Sequence, residues 1–226
     1  MPIYNLHPTY LGFPNPSEAE DGLLAIGGDL SAERLLQAYS KGIFPWYSNN
    51  EPIMWWSPNP RCVLPLDKLK VSKSMKKVLK DNLFKVTFDT SFQQVIDNCK
   101  QVPRKEQEGT WITEEMLAAY TQLHQLGYAH SVEVWRDKKL VGGLYGVSLG
   151  KAFFGESMFS KQSNASKIAL IKLRDKLKSW NFDFIDCQVY NDHLGSMGAE
   201  EIKREDFLLN LERSLRSESQ IGLWSD

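Results

Sequence analysis

The run Phe184-Ile-Asp-Cys-Gln-Val-Tyr-Asn-Asp192 reads as a strand carrying an acid and an amide where apolar residues are expected. Side chains alternate across a strand. The pattern therefore predicts that Asp186 and Gln188 share one face, with Ile185, Cys187 and Val189 turned into a core on the other. A carboxylate and a carboxamide are costly when dry and unpaired, so the pair fits the floor of a wet, polar cleft. Asp186 and Gln188 are the candidate catalytic residues; the plainer alternative is a structural pair that caps neighbouring loops.

A second polar group stands among apolar neighbours in Phe153-Phe-Gly-Glu-Ser-Met-Phe159. Period two places Phe154, Glu156 and Met158 on one face, unless Gly155 hosts a bulge that changes this. Gly155, without a side chain, allows close backbone approach. The plain reading of Glu156 is a salt bridge with Lys167 or Arg174.

These segments need a scaffold. Val132–Arg136 reads as a strand, Asp137-Lys-Lys139 as a tight turn, Leu140–Ser148 as the returning strand and Ala152–Phe159 as a third. A helix over Asn164–Trp180, the strand bearing Asp186 and a last helix from about Arg204 to Leu215 follow. Upstream, Ser31 caps a helix that Gly42 ends, residues 71–82 form a basic helix capped by Ser72, and residues 91–101 form another with Phe92, Val95, Ile96 and Cys99 on one stripe. Thr113 caps a further helix that Gly127 terminates. This order predicts an α+β fold with a mixed, largely antiparallel sheet flanked by helices. A loose boundary near residue 68 divides a small N-terminal domain, 1–67, from a catalytic domain, 68–226. The first piece looks too poor in regular elements to stand alone.

Residues 44–61 hold four prolines, which exclude a helix, together with three tryptophans and a tyrosine. Either these rings pack between two layers, or they wall a site for a planar ligand such as a base. The helix at 71–82 clusters Lys73, Lys76, Lys77 and Lys80 beside Lys70. Lys73, Lys77 and Lys80 share a helix face, for which a solvated surface is the usual explanation.

A net charge of −1 over 226 residues gives no global pull toward nucleic acid or anionic membrane, so any such partner needs a local patch. No apolar run approaches the ~20 residues of a membrane span, and the N-terminus lacks the pattern of a signal peptide. Cys62, Cys99 and Cys187 are odd in number and far apart, as expected of reduced thiols in a cytoplasmic protein. The four histidines show no ligand spacing, so no metal is expected.

Several strings resemble one family. Asp21-Gly-Leu-Leu-Ala-Ile-Gly-Gly-Asp-Leu-Ser31, Gly42-Ile-Phe-Pro-Trp46, Trp55-Trp-Ser-Pro58 and Pro60-Arg61 are similar to the leucyl/phenylalanyl-tRNA–protein transferases. So are Gly109-Thr-Trp-Ile-Thr113, Gly155-Glu-Ser-Met-Phe-Ser160, Asn164-Ala-Ser-Lys167 and Ile185-Asp-Cys-Gln-Val189. The likeness covers about residues 13–206, with the motifs in order.

The resemblance implies that Leu or Phe, with Met a further donor, moves from aminoacyl-tRNA to the α-amine of a protein beginning with Arg or Lys. That product would carry an N-end-rule degradation signal. It also implies a small N-terminal domain followed by one similar to the GNAT acetyltransferases. The acetyltransferase pyrophosphate loop is not evident before Asn164, so coenzyme A is not expected as donor, and no cofactor is expected. The donor is an activated ester, and an α-amine of pKa ~7.7–8.0 is partly neutral at pH 7. Alignment therefore matters more than a strong base.

The same pair, Asp186 and Gln188, is implied as catalytic. Gln188 lies nearer the amine, where its oxygen can accept an N–H and aim the lone pair. Glu156 would orient the donor's amine or attract the acceptor's cation. The resemblance assigns Leu144, Phe153, Met158, Leu173 and Ile185 to the pocket for the migrating side chain. Leu144 and Leu173 stand where a Met and a Phe are expected, which leaves the donor preference open. Trp46 and Trp111 are expected to stack on the terminal adenine, and Lys73, Lys76, Lys77 and Lys80 to meet tRNA phosphates. A monomer is expected. Two other classes stay open: a related acyltransferase with a different donor or acceptor, such as a cell-wall aminoacyltransferase using tRNA or an acyl-CoA N-acetyltransferase, and a non-catalytic tRNA-binding module.

Overall fold

The computed structural model describes residues 3–102 and 112–225. Trp111 and most of the Gly109–Thr113 string lie outside them. The elements run β1 (Tyr4–Leu6), β2 (Leu23–Gly27), α1 (Ala32–Ser40), β3 (Phe44–Pro45), β4 (Met54–Trp56), β5 (Arg61–Pro65), α2 (Lys73–Lys80), β6 (Lys85–Phe88), α3 (Phe92–Lys100) and α4 (Glu114–Gln125). They continue with β7 (Ala129–Arg136), β8 (Lys139–Leu149), β9 (Ala152–Ser160), α5 (Ala165–Ser179), β10 (Phe184–Gln188), α6 (Asp192–Met197), β11 (Glu200–Ile202) and α7 (Arg204–Ser214).

The strands form two sheets. One has the order β1-β2-β4-β3, the other β11-β5-β10-β9-β8-β7-β6. In the larger sheet the β9–β10 pair is parallel and the rest are antiparallel. That one parallel pair is joined through α5, since parallel neighbours need a crossover connection. Helices cover both faces. Leu35, Tyr39, Val95, Tyr120, Phe207 and Leu211 from α1, α3, α4 and α7 pack with Tyr145 and Phe154 in one cluster. Ile168, Leu170, Ile171 and Leu173 of α5 pack with Leu144, Phe153 and Ile185 in the other.

Local chemistry explains most boundaries. Ser31, Ser72 and Thr113 each accept a backbone N–H at the start of α1, α2 and α4, which satisfies a helix-end donor. Gly42 takes a left-handed φ of 71° just after α1, where a Cβ would be strained. Asp137 and Lys138 both have positive φ and make the two-residue hairpin between β7 and β8.

Two differences from the sequence reading matter. The N-terminal stretch is richer than its turn residues suggest, because β1 to β4 pair into a sheet. And Arg61–Pro65, between prolines, is an inner strand of the larger sheet, so the change of sheet falls between Trp56 and Arg61. Pro60 and Pro65 frame it without removing ladder bonds from its middle. The tryptophans divide. Trp55 is fully buried and donates to Gly27 O at 2.8 Å, while Trp56 donates to Trp46 O at 2.7 Å and leaves the Trp46 ring beside a cavity. The C-terminal tail is tied down by Trp224, which stacks on His130 at 3.7 Å and donates its N–H to Asp89 at 2.7 Å.

Candidate active site

The site forms where two neighbouring strands part. The parallel ladder between β9 and β10 runs from Ala152↔Phe184 to Phe154↔Asp186 and stops, although β9 continues to Ser160. Each strand is bulged at that point. On β9 the register against β8 jumps from Gly155↔Gly146 to Ser157↔Tyr145, which leaves Glu156 without a ladder partner. On β10 the register against β5 jumps from Asp186↔Val63 to Gln188↔Cys62, leaving Cys187 unpaired. Gln188 itself adopts φ of 64°, costing a non-glycine residue about 1–2 kcal/mol. A bulge re-aims the side chains beyond it. Here the two bulges turn Glu156 and Gln188 toward each other, and Gln188 Nε2 donates to Glu156 Oε1 at 2.8 Å.

The expectation of a shared wet face fails at Asp186 through burial, not through facing: Asp186 lies opposite Val63, on the side of the sheet where Tyr39 and Tyr120 hold Glu156. Asp186 is fully buried and pairs through both oxygens with Arg61, at 2.8 Å to Nε and 2.7 Å to Nη2. Arg61 is equally buried. Its remaining nitrogen donates to Gly42 O at 3.1 Å, and its guanidinium lies between the Phe44 and Phe207 rings. Two charges this dry persist because each satisfies the other. Asp186 still reaches the site, through backbone: its Oδ1 accepts the N–H of Gln188 at 2.9 Å and so holds the left-handed turn. Its side chain is not part of the cavity lining; Gln188 is the member of the pair that meets the cavity.

Glu156 is not paired with Lys167 or Arg174; Arg174 binds Asp175 and Leu66 O instead. Its carboxylate accepts from Tyr39 Oη at 2.8 Å, Tyr120 Oη at 3.0 Å and Gln188 Nε2. The two phenol oxygens are also in hydrogen-bonding contact, so their two O–H protons are shared among three contacts. Burial, and then the Glu156 charge, push both phenols well above their usual acidity range, so they stay donors. Burial pushes Glu156 up to about 7 against the pull of its three donors. The network fixes the amide of Gln188. With Nε2 committed to Glu156, the carbonyl oxygen is the atom left to accept an N–H from a ligand.

The raised carboxyl has a measurable sign. The folded state holds the Glu156 proton between the ordinary value of 4.5 and about 7, so its stabilising contribution is full below the first and lost as pH rises through the second. Glu156→Gln has no such proton. In thermal unfolding, the wild type is expected to lose ground to this variant as pH rises through that window; parallel curves would show that the carboxyl titrates normally.

Gln188 and Glu156 stand at a cavity of about 670 Å³, within the range of small-ligand sites. Leu144, Phe153, Met158, Leu173 and Ile185 all line it, as do Gly155 and Trp46. Cys187 and Val189 face it too, rather than a sealed core. A Cβ on Gly155 would meet Asp186 O at 3.6 Å and Ile185 Cγ2 at 3.7 Å, which is ordinary contact. The fold does not require glycine there; the empty position widens the cavity. Lys73, Lys76, Lys77 and Lys80 are exposed along α2, which is anchored by buried Met75.

Known proteins bear on this arrangement. The family described as leucyl/phenylalanyl-tRNA protein transferase matches residues 63–212, and that family's N-terminal domain matches residues 28–59. The chain belongs to the leucyl/phenylalanyl-tRNA–protein transferase family. A relative of that name from Syntrophus aciditrophicus is 57% identical over 225 residues, spanning 100% of this chain and 94% of the relative. One from Myxococcus xanthus is 51% identical over 230 residues, with 100% and 97% covered. Among solved structures, an aminoglycoside acetyltransferase from a soil metagenomic sample is similar at 15% identity and a TM-score of 0.38, covering 63% of this chain and 94% of that one. L-PGS from Bacillus licheniformis is similar at 11% identity and a TM-score of 0.40, covering 73% and 55%.

The chain is thus an aminoacyltransferase of this family. Three residues that hold its site escape a reading of the sequence. Tyr39 looks like one more apolar position on α1, and Tyr120 like one on α4, because nothing local shows their hydroxyls converging on Glu156. Arg61 carried a faint signal: a lone cation opening the apolar run Arg61-Cys-Val-Leu64, next to no acid in sequence.

Proposed function

We propose that this transferase moves Leu or Phe from its tRNA to the α-amine of proteins that begin with Arg or Lys, marking them for N-end-rule degradation, and that Gln188 aims the attacking amine. The observation that carries the reading is the Gln188–Glu156 bond at the mouth of a largely apolar cavity. The amide oxygen of Gln188 accepts an N–H of the neutral amine and points its lone pair at the ester carbonyl. The new C–N bond forms as the carbonyl C=O opens. The intermediate then collapses, the bond to the ribose oxygen breaks, and the proton lost by nitrogen ends on that hydroxyl. Glu156 and the two tyrosines keep the Gln188 amide from turning over, and Arg61 with Asp186 keeps its backbone in place.

The migrating side chain occupies the slot between Leu144, Phe153, Met158, Leu173 and Ile185. Unbranched Met158 and the space above Gly155 let one slot take more than one side-chain shape. Trp46, and Trp111 outside the described residues, stack on the terminal adenine. The α2 lysines meet tRNA phosphates, which supplies the local positive surface that a net charge of −1 does not.

The deciding experiment is transfer of labelled leucine from tRNA to short peptides. An Arg-initial or Lys-initial peptide is expected to be labelled and an otherwise identical Gly-initial peptide not. Equal labelling of all three would remove the acceptor rule and leave only the general transferase activity.

A further inference from the structure

Cys62 and Cys187 face each other across β5 and β10, and the reaction has no use for either thiol. At the β10 bulge both Cys187 and Gln188 stand opposite Cys62, because the ladder passes from Asp186↔Val63 directly to Gln188↔Cys62. The ladder pairs Cys62 with Gln188, and the thiols of Cys62 and Cys187 interact directly, which places the sulfurs in the short reach over which a disulfide closes. The two side chains share the α5 side of the sheet. Each thiol is the leading influence on the other's acidity, Cys62 being drawn down and Cys187 pushed up. Cys187 lines the cavity, while Cys62 is buried behind it. The third cysteine, Cys99, is buried on α3 in the opposite cluster and cannot compete.

We propose that Cys62 and Cys187 form a reversible disulfide that disables the adjacent Gln188, making transfer sensitive to hydroperoxides. A peroxide enters the cavity and meets Cys187. The sulfur attacks one peroxide oxygen, the O–O bond breaks, and the thiol proton leaves with the other oxygen as water, giving a sulfenic acid. The sulfur of the Cys62 thiol then attacks the Cys187 sulfur and the S–O bond breaks. The departing hydroxide takes up the Cys62 proton as a second water. Two thiols are oxidised by two electrons, and one hydroperoxide is reduced. Closing the bond draws Cys187 toward β5 and carries Gln188, the next residue, away from Glu156. A misplacement of about 1 Å at a reacting group costs on the order of 100-fold in rate.

The loss of activity rests on the role given to Gln188 above; the cross-link does not. The full chain is treated with hydrogen peroxide, denatured and alkylated, and its intact mass and peptides are read. In parallel, leucine transfer is measured before treatment, after it, and after dithiothreitol. The expected result is a Cys62–Cys187 linked peptide, alkylation confined to Cys99, and transfer lower by about 100-fold and regained on reduction. Cys62→Ala is expected to transfer normally and to resist the reversible loss. Alkylation of all three thiols after peroxide, or oxidation of Cys187 beyond sulfenic acid with Cys62 still free, would overturn the disulfide. The linked peptide with undiminished transfer overturns the switch. Should Gln188→Asn then also be fully active, the fault lies in the role of Gln188 rather than in the thiol chemistry.

Discussion

Gln188→Asn is expected to cut transfer by roughly 10²–10³-fold with little change in binding of an aminoacyl-adenosine mimic. Asparagine tolerates positive φ better than other side chains bearing a Cβ, so the turn at φ of 64° survives. What changes is reach. The amide, one methylene shorter, falls short of Glu156 and cannot present its oxygen to the amine. The loss therefore belongs in kcat at saturating donor, because alignment is felt only as the new bond forms. Single-turnover transfer of leucine, alongside titration of the mimic, reads both quantities. A variant with wild-type turnover would remove Gln188 from the reaction. A variant that fails only in binding would recast it as a donor contact.

Asp186→Ala and Arg61→Ala should each destabilise the fold by about 3–5 kcal/mol, since either leaves a buried charge without its partner. For a chain of this size each kcal/mol shifts the melting temperature by about 2–4 °C, so a drop of roughly 6–20 °C is expected. Arg61 does not line the cavity, yet its variant should match that of Asp186. The double change Arg61→Met with Asp186→Leu should recover a large part of the loss, as groups in direct contact are not additive. Its transfer should stay low, because no carboxylate remains to hold the Gln188 N–H. Thermal unfolding of the single and double variants forms the cycle. If Asp186→Ala melts like the wild type while transfer collapses, Asp186 acts on substrate directly and the buried pair is incidental.

The two results separate jobs that a strand pattern merges. Alternation along Ile185-Asp-Cys-Gln188 places acid and amide on one face, and that geometry holds for a regular strand. The bulge at Cys187 leaves both on the side of α1 and α4 yet changes their reach: Asp186 is engaged by buried Arg61, while Gln188 meets Glu156 at the cavity. A bulge is set by what the two flanking strands demand of each other. β5 was the strand that the sequence concealed between prolines, so its register could not be used.

Much was nevertheless legible. The helix starts at Ser31, Ser72 and Thr113 follow from side-chain oxygens that satisfy orphan N–H groups three residues on. The meander of β7 to β9, the crossover helix α5 and the mixed sheet follow from the period of the apolar residues. The motifs carried the family as well as the membership of the cavity wall, from Leu144 to Ile185. These are properties of short windows, in which neighbours along the chain are also neighbours in space.

The amino-acid sequence by itself determined the helix starts, the meander of β7 to β9, the family, and Gln188, Glu156 and the apolar residues that line the cavity. Only the tertiary structure decided which groups touch: Tyr39 and Tyr120 on Glu156, Arg61 on Asp186, Cys62 against Cys187. Those partners lie 117, 36 and 125 residues apart for the first three bonds, and their energies depend on burial that no local window contains. Coulomb attraction and desolvation act through space, so the order of residues along the chain does not reveal them.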